Sequence, residues 1–216
     1  MKIREVQFFR AVSPLSHPIA DSTHTIPEIA FIVTRLTLES GVTGEAYLLA
    51  FHYSQNAIAG TLRDIAPMII GREVNQTGAF IKHYEQESEY FGNPGIHRWA
   101  LGAINIAMWD AWAKTLGVPV WKMFGTHHQR VPLYGSGGWL SYSISELLAE
   151  VTRYVKRGFR AVKIKVGSPD LQTDIERLTR VRETVGPHVQ IMMDANQGMN
   201  IATATQLAAA VRDLKI

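Results

Sequence analysis

Residues 131–216 repeat one pattern three times: a short apolar run, then an amphipathic helical stretch, with a period of about thirty residues. The runs are Val131 to Ser136, Phe159 to Gly167 and Val189 to Asn196; the helical stretches are Ser143 to Arg157, Asp170 to Val185 and Ile201 to Leu214. Ser143 with Glu146 three residues on makes a capping box, and Gly158 and Gly186 stop the first two helices. Such alternation predicts a parallel sheet with right-handed crossovers, because a short link cannot return the chain for a parallel pairing. In such sheets chemistry collects at the C-terminal strand ends, which here carry Ser136, Lys163, Lys165, Asp194 and Asn196.

The second run, Arg160-Ala-Val-Lys-Ile-Lys-Val-Gly167, alternates Val162, Ile164 and Val166 with Lys163 and Lys165, so the ammonium groups share one face and the aliphatics the other. In an antiparallel sheet this would be a solvated face. A parallel sheet is normally covered on both faces, so here the lysines are expected to point into a barrel interior or a ligand crevice. Mutual repulsion and partial burial are then expected to lower the pKa of at least one lysine towards the range of a general base. The third run, Gln190-Ile-Met-Met-Asp-Ala-Asn-Gln197, stops at Asp194. Asp194 is equally suited to capping a helix, and one carboxylate does not make a Mg²⁺ site; Asn196 and Gln197 also suit plain turn chemistry. The eight histidines include no pair at the helical spacing of a zinc site and read as core or solvated side chains, and Met192, Met193 and the tryptophans as packing.

Upstream, residues 2–12 read as a strand, Ser13 to Pro27 as a long loop with three prolines, and Glu28 to Glu39 and Val42 to Phe51 as two further strands turned at Ser40-Gly41. Helices are expected from Gln55 to about Pro67, from Gln76 to Tyr90 and from about His97 to Leu116. The last is apolar nearly all round (Trp99, Leu101, Ile104, Met108, Trp112), which predicts burial, and Gly117-Val-Pro119 closes it. Thr126 to Arg130 is a polar link.

Composition narrows the function classes. With 22 basic and 19 acidic residues dispersed along the chain, no cluster of the kind nucleic acid needs is present. The absence of cysteine excludes disulfides and thiolate metal sites. No run approaches the ~18 apolar residues of a membrane span, and Met1-Lys-Ile-Arg-Glu-Val lacks a signal peptide's apolar core. The expectation is a cytoplasmic protein without nucleic-acid or membrane partners.

Taken together, the meander, the long helix from Ala100 through Gly125, Lys-Ile-Lys-Val-Gly and Met-Asp-Ala-Asn-Gln resemble the enolase superfamily, in particular its mandelate racemase and muconate lactonizing enzyme branch. The resemblance implies an α+β capping domain over residues 1–125, followed over residues 126–216 by the first three βα units of a (β/α) TIM-type barrel. It also implies Mg²⁺-dependent abstraction of the proton α to a carboxylate, with stabilisation of the enediolate. Lys165 would be the base, Lys163 would hold and polarise the substrate carboxylate, and Asp194 would be the first Mg²⁺ ligand. Asn196 and Ser136 would contact substrate, and the Ser13–Pro27 loop, with His17 and His24, would close over it.

The activity expected from the resemblance is that of a sugar-acid (hydroxy-acid) dehydratase, with an α-hydroxy-acid racemase as the alternative, on a small hydroxy-carboxylate and in a homo-oligomer. A Schiff-base lysine aldolase using Lys163 or Lys165 belongs to another enzyme class. Three βα units are fewer than the eight that close a barrel, so an open edge and an uncovered apolar face are expected. The non-enzyme reading is an inactive fragment that needs the missing barrel half or a partner chain.

Overall fold

The computed structural model describes residues 1–51, 54–90 and 92–216. The chain divides into two compact units, one of residues 1–14 and 28–129, the other of residues 15–27 and 130–216. The N-terminal part is a capping domain with an antiparallel sheet, and the C-terminal part is a portion of a parallel-sheet barrel.

Three strands, β1 (Ile3–Ala20), β2 (Thr25–Leu38) and β3 (Thr43–Leu49), form a sheet in that order. β2 and β3 are antiparallel, in register from Phe31↔Leu49 to Thr37↔Thr43. Helices α1 (Gln55–Ile65), α2 (Thr77–Glu87) and α3 (Ile96–Leu116) follow, then the short α4 (Val120–Met123). Ile32, Leu36 and Leu38 of the sheet, Ile58, Leu62 and Ile65 of α1, Phe80 of α2 and Leu101, Ile104 and Met108 of α3 are all buried in one apolar core.

Two expectations fail in this part of the chain. Ser13 to Pro27 is not a long irregular loop, because β1 runs on to Ala20 and β2 begins at Thr25, leaving only a tight turn. Pro14 and Pro18 are tolerated because β1 is an edge strand, where a missing N–H breaks no inner ladder, and Pro27 stands near the start of β2. Nor is α3 buried all round. Trp99, Ile106 and Leu116 are exposed, and the buried face is built largely of Ala100, Ala103, Ala107, Ala111 and Ala113 around the larger side chains.

In the second unit β4 (Gly135–Ser136), β5 (Ala161–Lys165) and β6 (Gln190–Asp194) make a parallel sheet in that order, with α5 (Ile144–Lys156), α6 (Leu171–Val185) and α7 (Ile201–Ala210) as the helices between and after them. The strand expected over Val131 to Ser136 shrinks to two residues, leaving Val131 and Leu133 exposed, since only its end reaches β5. The last helix is α-helical only to Ala210, followed by a 3-10 turn at Arg212–Leu214. The capping box of Ser143 and Glu146 is formed.

Val162, Ile164 and Val166 are buried against Leu147 and Val151 of α5, Leu178, Val181 and Val185 of α6 and Leu207 of α7. The apolar face expected to be uncovered is therefore covered by the chain's own helices. That leaves the opposite face of β5 to the lysines.

Candidate active site

Parallel register fixes which side chains share a face. Ser136 pairs with Lys163 and Lys163 with Met192; one step on, Lys165 pairs with Asp194. Ser136, Lys163, Lys165 and Asp194 thus line one face at the C-terminal strand ends. The ladder outlasts β4, with Gly137 N–H donating to Lys163 C=O at 3.1 Å and Lys165 N–H to Gly138 C=O at 3.1 Å.

The two ammonium groups converge on one oxygen. Asp194 Oδ2 lies 2.9 Å from Lys165 Nζ and 3.0 Å from Lys163 Nζ. Lys165 Nζ also donates to Asn196 Oδ1 at 2.5 Å, and Asn196 N–H donates to Asp194 Oδ1 at 3.0 Å. Each ammonium lies over an aromatic ring, Lys163 over Tyr134 at 5.6 Å and Lys165 over Trp139 at 5.3 Å. Lys165 is buried, whereas Lys163 and Asp194 keep partial contact with solvent.

The hydrogen bond from Lys165, helped by the Asn196 N–H and Lys163 and opposed by burial, holds the Asp194 carboxyl well below the usual carboxylate range. The hydrogen bond to Asp194 outweighs burial and raises the pKa of Lys163. This corrects the expectation of a lowered lysine as far as Lys163 is concerned. An anion between the two ammonium groups replaces their repulsion with attraction.

The turn that presents Asn196 is strained: Asn196 (φ 44°) and Gln197 (φ 66°) are consecutive left-handed residues without being glycine. It is pinned by Ser22, whose hydroxyl donates to Ala195 C=O. Ser22 stands in the turn between β1 and β2, which Asp21 organises. Asp21 Oδ1 accepts from Thr23 N–H and His24 N–H, both at 2.8 Å. Burial alone would raise the Asp21 pKa, but these bonds bring it below its ordinary value. A methyl group at Gly167 (φ 104°) would lie 2.6 Å from Ser22 Cβ, so a glycine is needed for this approach.

The remaining expected residues are placed unequally. Ser136 is beside Lys163 in register, and its carbonyl accepts from Tyr154 OH at 2.9 Å. His24 belongs to the Asp21 turn, with Nδ1 2.7 Å from Thr23 Oγ1. His17 is not brought to the lysines; it lines a cavity of about 340 Å³ with Tyr142, Glu146 and Arg153. His52 lies outside the described residues.

Three buried charges escaped the sequence reading. Glu150 Oε2 accepts from Gly138 N–H at 2.6 Å, and Asp174 Oδ2 accepts from Gly167 N–H at 2.7 Å and Ser168 N–H at 3.1 Å. Arg177 donates to three carbonyls, those of Gly138 and Trp139 at 2.9 Å and Tyr142 at 3.1 Å. The signal available was the stripe Asp174, Arg177, Leu178, Val181, Val185 on α6, which puts two charges at the start of a buried face.

Residues 3–125 match the family described as mandelate racemase / muconate lactonizing enzyme, N-terminal domain. The chain belongs to this family, within the enolase superfamily. Residues 146–216 match the enolase C-terminal domain-like family. Relatives of this family member include the 3,6-anhydro-alpha-L-galactonate cycloisomerase of Streptomyces coelicolor, 30% identical over 92% of this chain and 55% of the relative. The L-talarate/galactarate dehydratase of Salmonella typhimurium is 29% identical over 100% of this chain and 56% of its own length. A lysine-to-alanine mutant of an L-talarate/galactarate dehydratase, solved with Mg and L-glucarate, superposes with a TM-score of 0.92 at 27% identity, covering 99% of this chain and 56% of that one. An L-Ala-D/L-Glu epimerase of Bacillus subtilis and an L-Lys-D/L-Arg epimerase of Desulforapulum autotrophicum are also among the relatives. The chain spans about half the length of the curated relatives it matches.

Asp194 suits a hard dication as one ionised oxygen ligand, but the described residues gather no group of three acidic, histidine or cysteine side chains that could hold a metal. Both Asp194 oxygens are engaged, so a dication there would replace lysine contacts. No helix among the described residues is long and apolar enough to cross a membrane.

Proposed function

We propose that the protein is a Mg²⁺-dependent enzyme that removes the proton α to the carboxylate of a small hydroxy acid, as a sugar-acid dehydratase. The observation that carries this reading is the convergence of Lys163, Lys165 and Asn196 on Asp194 at the C-terminal ends of β5 and β6. The kinship with an L-talarate/galactarate dehydratase and an arabinonate dehydratase supports a sugar acid as substrate.

Lys165, buried on the sheet face under Trp139, is the base that takes the α-proton onto Nζ. Lys163, more open to solvent, holds the substrate carboxylate as a cation. Asn196, fixed by its backbone bond to Asp194, and Ser136, in register with Lys163, contact substrate hydroxyls. Asp194 would be one ligand of magnesium, and the bound ion would supply positive charge for the developing oxyanion. Ser22, in the turn between β1 and β2 that also holds His24, steadies the turn that presents Asn196.

The test is solvent deuterium exchange at the α-carbon of hydroxy-acid substrates in the presence of Mg²⁺. Lys165→Ala is expected to abolish exchange while Mg²⁺ binding persists; retained exchange would remove Lys165 as base. Loss of activity with a chelator separates this reading from a Schiff-base aldolase, which borohydride with substrate would trap at lysine. Exchange with inversion and no loss of water would replace the dehydratase by a racemase.

A further inference from the structure

Arg177 is 3% exposed, and the anion that acts on it is Asp174, three residues back on α6, with which it makes no direct hydrogen bond. Its guanidinium is spent on backbone carbonyls, those of Gly138, Trp139 and Tyr142, and its Nε has no partner. Burying a charge this way is costly, since a guanidinium is best repaid by a carboxylate and fully used donors.

The carbonyls it holds identify the return on that cost. Gly138 C=O accepts from Arg177 Nη2 and also from the backbone N–H of Lys165 at 3.1 Å, so the guanidinium is one peptide oxygen away from the proposed base. The next residue, Trp139, lies with its ring 5.3 Å from Lys165 Nζ. The preceding peptide is held by Glu150, whose Oε2 accepts from Gly138 N–H. Gly138 lies so close to β5 that a Cβ on it would be 2.6 Å from Ile164 Cβ, at a φ of 61°. Residues 137–142 are irregular; Gly138 C=O accepts from Lys165 N–H and Trp139 C=O from Tyr142 N–H, and Arg177 adds a second donor to each.

We infer that Arg177 is a positioning residue: by clamping the carbonyls of Gly138, Trp139 and Tyr142 it fixes the loop after β4, and with it the Trp139 ring over Lys165 and the backbone from which Lys165 projects. Glu150 holds the same loop by Gly138 N–H, and Asp174 holds the loop after β5 by the N–H groups of Gly167 and Ser168. The inference rests on the assignment of Lys165 as base, but its structural half stands on the clamp alone.

The test compares Arg177→Met, Arg177→Lys and, as control, Arg180→Met, an exposed residue of the same helix. Two readouts are taken on the purified protein: amide hydrogen exchange at Lys165 and residues 137–142, and steady-state α-proton exchange with Mg²⁺. Arg177→Met is expected to lose amide protection at Lys165 and to lower kcat by about tenfold or more with KM nearly unchanged, as a displaced base would. Lysine, which cannot reach three carbonyls, is expected to be intermediate, and the control to match wild type. Wild-type protection at the Lys165 amide in folded Arg177→Met overturns the clamp. Wild-type kcat with lost protection overturns its catalytic meaning. Should Arg177→Met not fold, Arg177→Lys decides, with wild-type values in both readouts counting against the inference. If wild type exchanges no α-proton, the assignment of Lys165 as base fails, and amide protection still tests the clamp.

Discussion

The two units bury polarity differently. In the first, the buried polar residues among those described are Thr34, Thr37, Gln55, Thr77 and Ser88, all uncharged; in the second they are Glu150, Lys165, Asp174 and Arg177, all ionisable. The first unit closes an apolar core by packing α3 on its sheet. The second closes its apolar core on one side of its sheet, carries Lys165 on the other side, and holds Glu150, Asp174 and Arg177 on α5 and α6, where they bond the loops at the strand ends. Buried charge is expensive wherever it occurs, and its confinement to one unit sets apart the unit that holds the candidate site.

Paired substitutions would break that contrast or sharpen it. The largest effect expected is on turnover: Lys165→Ala lowers α-proton exchange by about 10²–10⁴-fold or more, far more than the loss of one of Asp194's two lysine contacts lowers the folded fraction. In the first unit Phe80→Ala should do the reverse, costing about 3–5 kcal/mol in a denaturant titration while the folded fraction keeps its exchange rate. If both variants lost stability and rate together, the division of labour would be wrong.

Next in size is Asp174→Ala, which leaves the N–H groups of Gly167 and Ser168 without an acceptor and should cost about 2–3 kcal/mol. Asp174→Asn keeps one carbonyl oxygen where both bonds arrive, so it should recover most of that loss. Burial raises the Asp174 pKa, and the N–H groups of Gly167 and Ser168 and the charge of Arg177 oppose that rise.

Acid should expose the opposite behaviour at Asp194. Its folded pKa is depressed, so its contribution to stability is fully present above the ordinary carboxylate value of ~3.9 and is lost as pH falls through that value towards the folded one. The stability curves of wild type and Asp194→Asn should therefore begin to approach each other as pH drops from about 5 to 3 and go on doing so below it. A constant difference across that window would mean that the lysine contacts contribute nothing. The smallest effect belongs to Arg35→Ala, which removes an exposed ion pair with Glu45 at 2.7 Å and should cost no more than about 0.5 kcal/mol.

What could be read in the sequence was local. The alternation of Val162, Ile164 and Val166 with Lys163 and Lys165 separated the buried face of β5 from its polar one, and the Ser143–Glu146 box and Gly117 placed helix ends. A period of two residues or of 3.6 is written by neighbours a few positions apart, and that information survives in the string. The candidate site was legible to the same extent, as residues at strand ends.

Tertiary structure decided what lies between distant segments. Lys165 and Asp194 are 29 positions apart, and only the parallel register that pairs them shows one carboxylate oxygen serving two lysines, with Lys163 raised rather than lowered in pKa. Ser22 and Ala195 are separated by 173 positions, and nothing in a proline-bearing segment announces that it is two strand arms whose turn pins the turn presenting Asn196. Glu150, Asp174 and Arg177 look in sequence like the solvated charges of surface helices. They become supports of the strand-end loops because unpaired backbone N–H and C=O groups, buried by the fold, demand partners wherever helix geometry can bring one.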